Sequence, residues 1–112
     1  MIAVLNLFDI IPGKEATYAE YLHRVQGLLE RHHARILFYG RTKAVFRGQC
    51  AQDYCGIIAY DGMEQLRSFS EDPEFAELRI LRDAATRNYV LTVIEEASIN
   101  DVVADLGWKV PS

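Results

Sequence analysis

The stretch F-S-E-D-P-E-F-A-E-L-R-I-L-R, Phe69–Arg82, carries a helix start with its parts in order. Asp72 can cap the free N–H groups, Pro73 fits the first helical position, and Glu74 sits where the helix dipole favours negative charge. Phe75, Leu78 and Leu81, with Ile80 beside them, make an apolar stripe, while Glu77, Arg79 and Arg82 face elsewhere. Just upstream, Met63–Ser70 reads as a short helix with Met63, Leu66 and Phe69 inward, joined to the next by a kink at Asp72-Pro73. Downstream, Arg87–Glu96 reads as a strand that is apolar on both faces.

Working back to the N-terminus, Ile2–Ile10 alternates as a strand. Ile2, Val4, Asn6 and Phe8 share one face, and Ala3, Leu5, Leu7 and Asp9 the other. Both faces are mainly apolar, which predicts cover on both sides. Pro12 and Gly13 end it in a turn. Lys14–His33 is a helix with Tyr18, Tyr21, Leu22, Val25, Leu28, Leu29 and His32 on helical spacing. Ala34–Gly48 reads as a second strand with a bulge near Gly40, because a glycine inside a strand pattern suggests a bend. Asp53–Tyr60 is the third strand and Asp61-Gly62 the turn after it. Ser98–Gly107 reads as a small extra helix, capped by Ser98 or Asn100 and ended by Gly107, that docks on the body or on a neighbouring subunit.

The order is β-α-β-β-α-β, which predicts a ferredoxin-like α+β fold: a four-stranded antiparallel sheet over residues 1–97, followed by a C-terminal extension, 98–112. Right-handed crossovers put both long helices on one side. The other face is apolar and has no layer of its own. Exposed patches of that size are rare on monomers. A second copy is the simplest cover, so a two-fold homodimer is expected, with its sheets enclosing a shared chamber and an interface on the order of 2,000 Å².

Composition excludes several classes. Half of the 112 residues are hydrophobic, a quarter are charged and the formal net charge is -4. That balance lacks the basic stripe of a nucleic-acid binder. No run of about 18 apolar residues offers a membrane span. The N-terminus has no basic region and reads as a strand, not a signal peptide. Cys50 and Cys55 are too few for a secreted disulfide scaffold or a zinc site, so they read as free thiols of a cytoplasmic protein. No nucleotide, hydrolase or metalloprotease motif occurs.

Candidate functional residues each have a structural alternative. Asn6 is polar in an apolar strand; it either orients a substrate oxygen in the chamber or bonds a neighbouring backbone group. His32 is in phase with the helix stripe and is either a general base or a satisfied, partly buried histidine. Its neighbour His33 points about 100° away, so the pair is not a metal site. Tyr39, Tyr54 and Tyr60 offer flat apolar faces with one donor each, for an aromatic ligand or for packing. Arg41 at the strand-two bend can hold a carboxylate or enolate, with Arg79, Arg82 and Arg87 as alternatives.

The chain resembles the dimeric α/β-barrel superfamily and, within it, the small family called domain of unknown function 1330. The likeness lies in Y-A-E-Y at Tyr18–Tyr21, in the P-E-F-x-x-L-x-x-L-R pattern within Phe69–Arg82, and in V-x-x-E at Val93–Glu96. It spans about residues 1–97. Where the family usually shows Arg-Gly-Gly this chain has Tyr39-Gly40-Arg41, and the tail from Ser98 lies outside the pattern. The superfamily includes cofactor-independent oxygenation, isomerisation, cyclisation, haem degradation and ligand binding. Haem degradation is disfavoured, because its tryptophan and second-helix histidine have no counterparts here. Within that range the expectation is a cofactor-independent enzyme on a small apolar or aromatic metabolite, monooxygenase-like or isomerase/cyclase-like; the residues themselves nominate His32 and Arg41 as catalytic and Asn6, Tyr39 and Tyr54 as substrate-binding. The alternative is a non-catalytic small-molecule-binding module of the same fold.

Overall fold

A computed structural model describes residues 1–109. The elements run β1 (Ile2–Ile10), α1 (Glu15–Arg31), β2 (Arg35–Arg41), β3 (Tyr54–Tyr60), α2 (Met63–Ser70), α3 (Pro73–Ala85), β4 (Thr86–Glu95) and α4 (Ile99–Asp105). The four strands form one antiparallel sheet in the order β2-β3-β1-β4. This is the ferredoxin-like α+β plan. The last three residues of the expected extension lie outside the described residues.

Local chemistry sets the ends of the elements. Asp72 caps α3: its Oδ1 accepts the Glu74 N–H at 2.9 Å, and Pro73 is the first helical residue. At the end of α1, His33 turns left-handed with φ 59°, and the Ala34 N–H reaches back to the Leu29 carbonyl at 2.9 Å. That turn delivers the chain to β2. Arg31 pairs with Glu74, tying the end of α1 to the start of α3.

The core lies between the sheet and the helices. Ile2, Val4 and Phe8 of β1 meet Tyr18, Tyr21, Val25, Leu28 and Leu29 of α1 and Phe75, Leu78 and Ala85 of α3. Phe8 is fully buried, and its ring stacks on Tyr54 and Tyr89 at 5.5 and 5.2 Å between centroids. Deleting such a ring costs about 3–5 kcal/mol. Strand register puts Leu5, Ile57 and Phe38 on the opposite face, away from the helices. Among the described residues no helix layer covers that face, and Phe38 is 62% exposed.

Several expectations need correction. Strand two stops at Arg41 instead of running to Gly48, because its last backbone partner on β3 is reached there: Thr42 N–H bonds the Asp53 carbonyl at 2.7 Å, and residues 43–52 have no strand opposite them. The irregularity in β2 falls between Ile36 and Phe38, not at Gly40. Gly40 instead makes room for the Phe38 ring, which a Cβ would approach to 3.0 Å. On α3, Ile80 points outward at 69% exposure, whereas Arg82 is drawn inward. The small helix α4 has its Ser98 capping box but no buried residue, so it does not dock on its own body.

A second irregularity, between Leu7 and Asp9 of β1, puts one extra residue in β4, and the Asp9 side chain is buried beside it. Its Oδ1 accepts the Asp53 N–H at 2.7 Å and its Oδ2 accepts Asn88 Nδ2 at 2.9 Å. One carboxylate therefore joins the start of β3 and the start of β4 to β1.

Candidate functional site

The space between sheet and helices is not completely filled. A cavity of about 510 Å³ lies there, inside a single chain. Asn6, expected to point toward a chamber shared by two sheets, faces this helix-side cavity instead. The physical reason is the parity of β1: Asn6 shares its face with Ile2, Val4 and Phe8, and that is the face the helices cover.

The wall is mostly apolar, with Val4, Phe8, Val25, Leu29, Phe69 and Phe75 among its members. Its polar side chains are Asn6, Gln26, Ser70, Arg79, Arg82 and five tyrosines: Tyr18, Tyr21, Tyr39, Tyr60 and Tyr89. Among the described residues no aspartate, glutamate, histidine or lysine lines it.

Asn6 is held from three sides. Its Nδ2 donates to the Val4 and Gly56 carbonyls, both at 3.3 Å, and its Oδ1 accepts the Tyr89 hydroxyl at 2.8 Å. Both amide hydrogens are thus engaged by backbone. Asn6 cannot donate to a substrate oxygen without breaking them, and it acts on the cavity by fixing Tyr89. Across the cavity the Tyr18 and Tyr39 hydroxyls are 3.0 Å apart. One donates to the other, which leaves the acceptor's own proton free for a ligand. Tyr39 lies over Gly56, where a Cβ would sit 3.0 Å from two of its ring carbons. Glycine at this cross-strand position therefore sets the Tyr39 pose.

Burial pushes the phenols of Tyr18, Tyr21, Tyr39, Tyr60 and Tyr89 above the usual tyrosine range. At neutral pH they are uncharged donors and acceptors. Arg82 supplies positive charge. Its side chain is 15% exposed, its guanidinium lies 5.1 Å from the Tyr89 ring centroid and 5.6 Å from that of Phe75, and its Nε donates to Asp83 Oδ1 at 3.1 Å. Arg79 joins it from one helical turn earlier, as an exposed residue.

Two expected residues lie elsewhere. His32 is not part of the cavity wall. Its Nε2 meets Asp72 Oδ2 at 2.9 Å and its Nδ1 meets Ser68 Oγ at 3.2 Å. The Phe69 ring, which does line the cavity, stands edge-on to the imidazole at 5.9 Å. The histidine joins the ends of α1, α2 and α3 behind that wall. The His32 bond, with the Glu74 N–H, holds the Asp72 carboxyl below the usual aspartate range. Arg41 is also outside. It lines a shallow depression at the sheet edge with Tyr39, Gly40, Thr42, Lys43 and Tyr54. Tyr54 reaches the cavity only through its stack on Phe8. Of the five expected residues, Asn6 and Tyr39 line the cavity together, and Tyr54 and Arg41 share the edge depression.

Sequence reasoning missed Tyr18, Tyr21 and Tyr89 as wall residues, and it named Arg82 only as an alternative to Arg41 while placing it off the apolar stripe. The signal for Arg82 was present. Phe75, Leu78, Arg82 and Ala85 follow helical spacing, and an arginine can bury its stem along an apolar stripe. Among the described residues no group of three His, Cys, Asp or Glu side chains is placed to hold a metal ion.

A ferredoxin-like domain with an intrachain, tyrosine-lined cavity is the class that fold and site define. The chain belongs to the family described as Domain of unknown function (DUF1330), whose profile matches residues 6–97. Among solved structures it is similar to a protein of unknown function from Rhodopseudomonas palustris, with 20% identity, a TM-score of 0.77, and 87% of this chain and 82% of that one covered. It is also similar to a dimeric ferredoxin-like protein of unknown function from Jannaschia sp. CCS1, with 13% identity, a TM-score of 0.71 and coverage of 85% and 98%. A third likeness is to a cofactor-independent oxygenase from Streptomyces nogalater, with 11% identity, a TM-score of 0.64 and coverage of 87% and 93%. At these identities the likenesses establish the fold alone. No curated protein matches the chain in sequence.

Proposed function

We propose that this chain is an enzyme acting on a small apolar or aromatic molecule held in the intrachain cavity, without a tightly bound cofactor. The observation that carries the reading is the convergence of the Tyr18–Tyr39 pair, Tyr89 and Arg82 on a largely apolar space of about 510 Å³. That volume lies in the usual range for small-molecule sites, about 300–1,000 Å³. Neutral phenols and a guanidinium at fixed positions can stabilise charge that develops on a substrate oxygen. Oxygenation of an electron-rich aromatic, isomerisation and cyclisation all develop such charge. The oxygenase from Streptomyces nogalater has this fold; its activity comes to this chain only as part of the proposal. In the proposed site Tyr39 and Tyr89 position the ligand, Asn6 positions Tyr89, and Arg82 takes the charge-holding part first expected of Arg41. His32, held behind Phe69 by Asp72 and Ser68, is left a structural part.

The test is a metabolite screen by thermal shift and mass spectrometry, since a ligand that binds only the folded state raises the melting point by mass action. Turnover of a hit should fall about a hundredfold or more in Tyr39→Phe or Arg82→Gln without unfolding. Binding with no turnover would support the second reading, a small-molecule-binding module. A chain that binds no small organic molecule would overturn both.

The proposal includes a homodimer through the uncovered sheet face, where Phe38, Val90 and Ile94 are exposed. It includes neither nucleic acid nor membrane as a partner. A net charge of -4 argues against the first, and no helix among the described residues is long and apolar enough to cross the second. Two free thiols, Cys50 and Cys55, suit a reducing cytoplasm.

A further inference from the structure

We infer that the molecule this cavity takes is an oxyanion conjugated to a flat ring or double bond, a phenolate, enolate or aromatic carboxylate, with its charged oxygen against α3. The inference rests on the reading that the cavity holds a small organic molecule, and it names that molecule's charge.

The charges on the wall carry it. The chain as a whole has a formal net charge of -4. The cavity wall has the opposite sign: two guanidiniums, Arg79 and Arg82, and among the described residues no carboxylate. The two arginines are three positions apart on α3, so they lie on the same side of it. Arg82 donates from Nε to Asp83, and the neutral Tyr21 hydroxyl also lies against its guanidinium. Asp83 stands outside the cavity wall with its side chain 61% exposed. A carboxylate so placed neutralises a buried cation poorly, while an oxyanion inside the apolar wall would meet it at a lower effective dielectric. The aromatic faces of Tyr89 and Phe75 hold the guanidinium from the sides.

The wall also lacks a proton acceptor that titrates near neutrality. It contains no histidine or carboxylate among the described residues, and its phenols are pushed upward by burial. The ligand therefore enters as its conjugate base, or its O–H bond breaks at the mouth. In that case the electron pair stays on the ligand oxygen and the proton leaves to water. No side chain of the wall need take it.

Two effects oppose each other here, so the sign of one measurement decides. Burial in an apolar cavity raises a phenol's pKa, whereas adjacent guanidiniums lower it. The probe is 4-nitrophenol, whose visible spectrum distinguishes phenol from phenolate, with 4-nitroanisole as the neutral partner of similar shape. The intact chain should bind 4-nitrophenol as the phenolate, with its pKa lowered by about one unit or more. Arg82→Gln should remove that shift and weaken phenolate binding about tenfold or more, as expected for a lost charge-assisted bond. Arg79→Gln should weaken it less, and 4-nitroanisole should bind both variants as it binds the parent. If 4-nitrophenol binds as the neutral phenol, the inference is wrong even though the cavity reading stands. It is equally wrong if Arg82→Gln leaves phenolate binding unchanged. If neither probe binds at millimolar concentration, the cavity reading fails and this inference fails with it. Should Arg82→Gln not fold, the direction of the pKa shift in the parent chain still decides.

Discussion

Asn6 illustrates how one side chain can be structural and functional at once. In the sequence it stands out as an amide in an apolar strand, and two readings were open: a ligand-orienting group or a backbone-bonded one. The geometry joins them. Its Nδ2 bonds the Val4 and Gly56 carbonyls, and its Oδ1 receives the Tyr89 hydroxyl. Replacing Asn6 with alanine removes all three bonds inside the core, so stability should fall by about 1–3 kcal/mol in urea denaturation. Tyr89→Phe removes only the third and should cost about 1 kcal/mol. If Asn6 acts through Tyr89, the two variants lose ligand affinity or turnover to the same degree despite their unequal stabilities. Loss of function in Asn6→Ala with none in Tyr89→Phe would mean that the amide itself touches the ligand. The role of Tyr89 was not legible beforehand, because which strand residues face each other depends on register, and the irregularity at Leu7/Asp9 resets it. The same holds for Tyr39, whose seat over Gly56 is a cross-strand relation that neither residue announces alone.

The elements themselves were largely legible, because their signals are local. The Asp72-Pro73-Glu74 start of α3 needs only adjacent residues to form, and it forms as the sequence indicates. Faces were harder. A charged residue on a helix is read as outward by default, yet Arg82 turns inward beneath Tyr89 and Ile80 turns outward. The end of β2 depends on how far β3 continues opposite it, which strand propensity in Val45 and Phe46 does not reveal. The junction of β1, β3 and β4 also depends on distant partners, and it gives a pH prediction. The Asn88 side chain, then the Asp53 N–H, hold the Asp9 carboxyl below its usual value, against the opposing effect of burial and with help from Arg87. A carboxyl depressed in the folded state stabilises it fully above the unfolded value of about 3.9, and that contribution fades as pH falls through the folded value. The melting temperature should therefore drop as pH is lowered from 5 toward about 2. Asp9→Asn should start lower at pH 7 and show a shallower acid decline, when both chains are followed by circular dichroism. Equal acid slopes in the two chains would place the pH-sensitive group elsewhere, with Asp72 the next to replace.

At the scale of the whole molecule, assembly and site separate. The sequence made them one problem, since an apolar sheet with helices on a single side pointed to a chamber shared by two subunits. The parity of β1 divides them: Val4, Asn6 and Phe8 face the helices and the cavity, while Leu5 and Leu7 face the uncovered side with Ile57 and Phe38. The proposed homodimer buries the second set and leaves the first within each chain. It also offers cover to α4, whose Ile99 is exposed along with Leu106 and Trp108 just beyond its end, and whose seven residues are too few for a stable isolated helix in water. A charge on the uncovered face, such as Leu5→Glu paired with Ile57→Lys in separate chains, should convert a dimer seen by light scattering into monomers, because each would bury an unpaired charge at the interface. Mixing the two variants should restore the dimer, since a mixed pair carries one charge of each sign on its two facing sheets. The monomeric variants should keep affinity for 4-nitroanisole within about threefold of the parent, as no wall residue of the cavity lies on the altered face. A parent chain that is monomeric in dilute solution would remove the dimer from the proposal and leave the cavity in place. A dimeric parent whose monomeric variants fold but lose 4-nitroanisole altogether would show instead that the partner completes the wall.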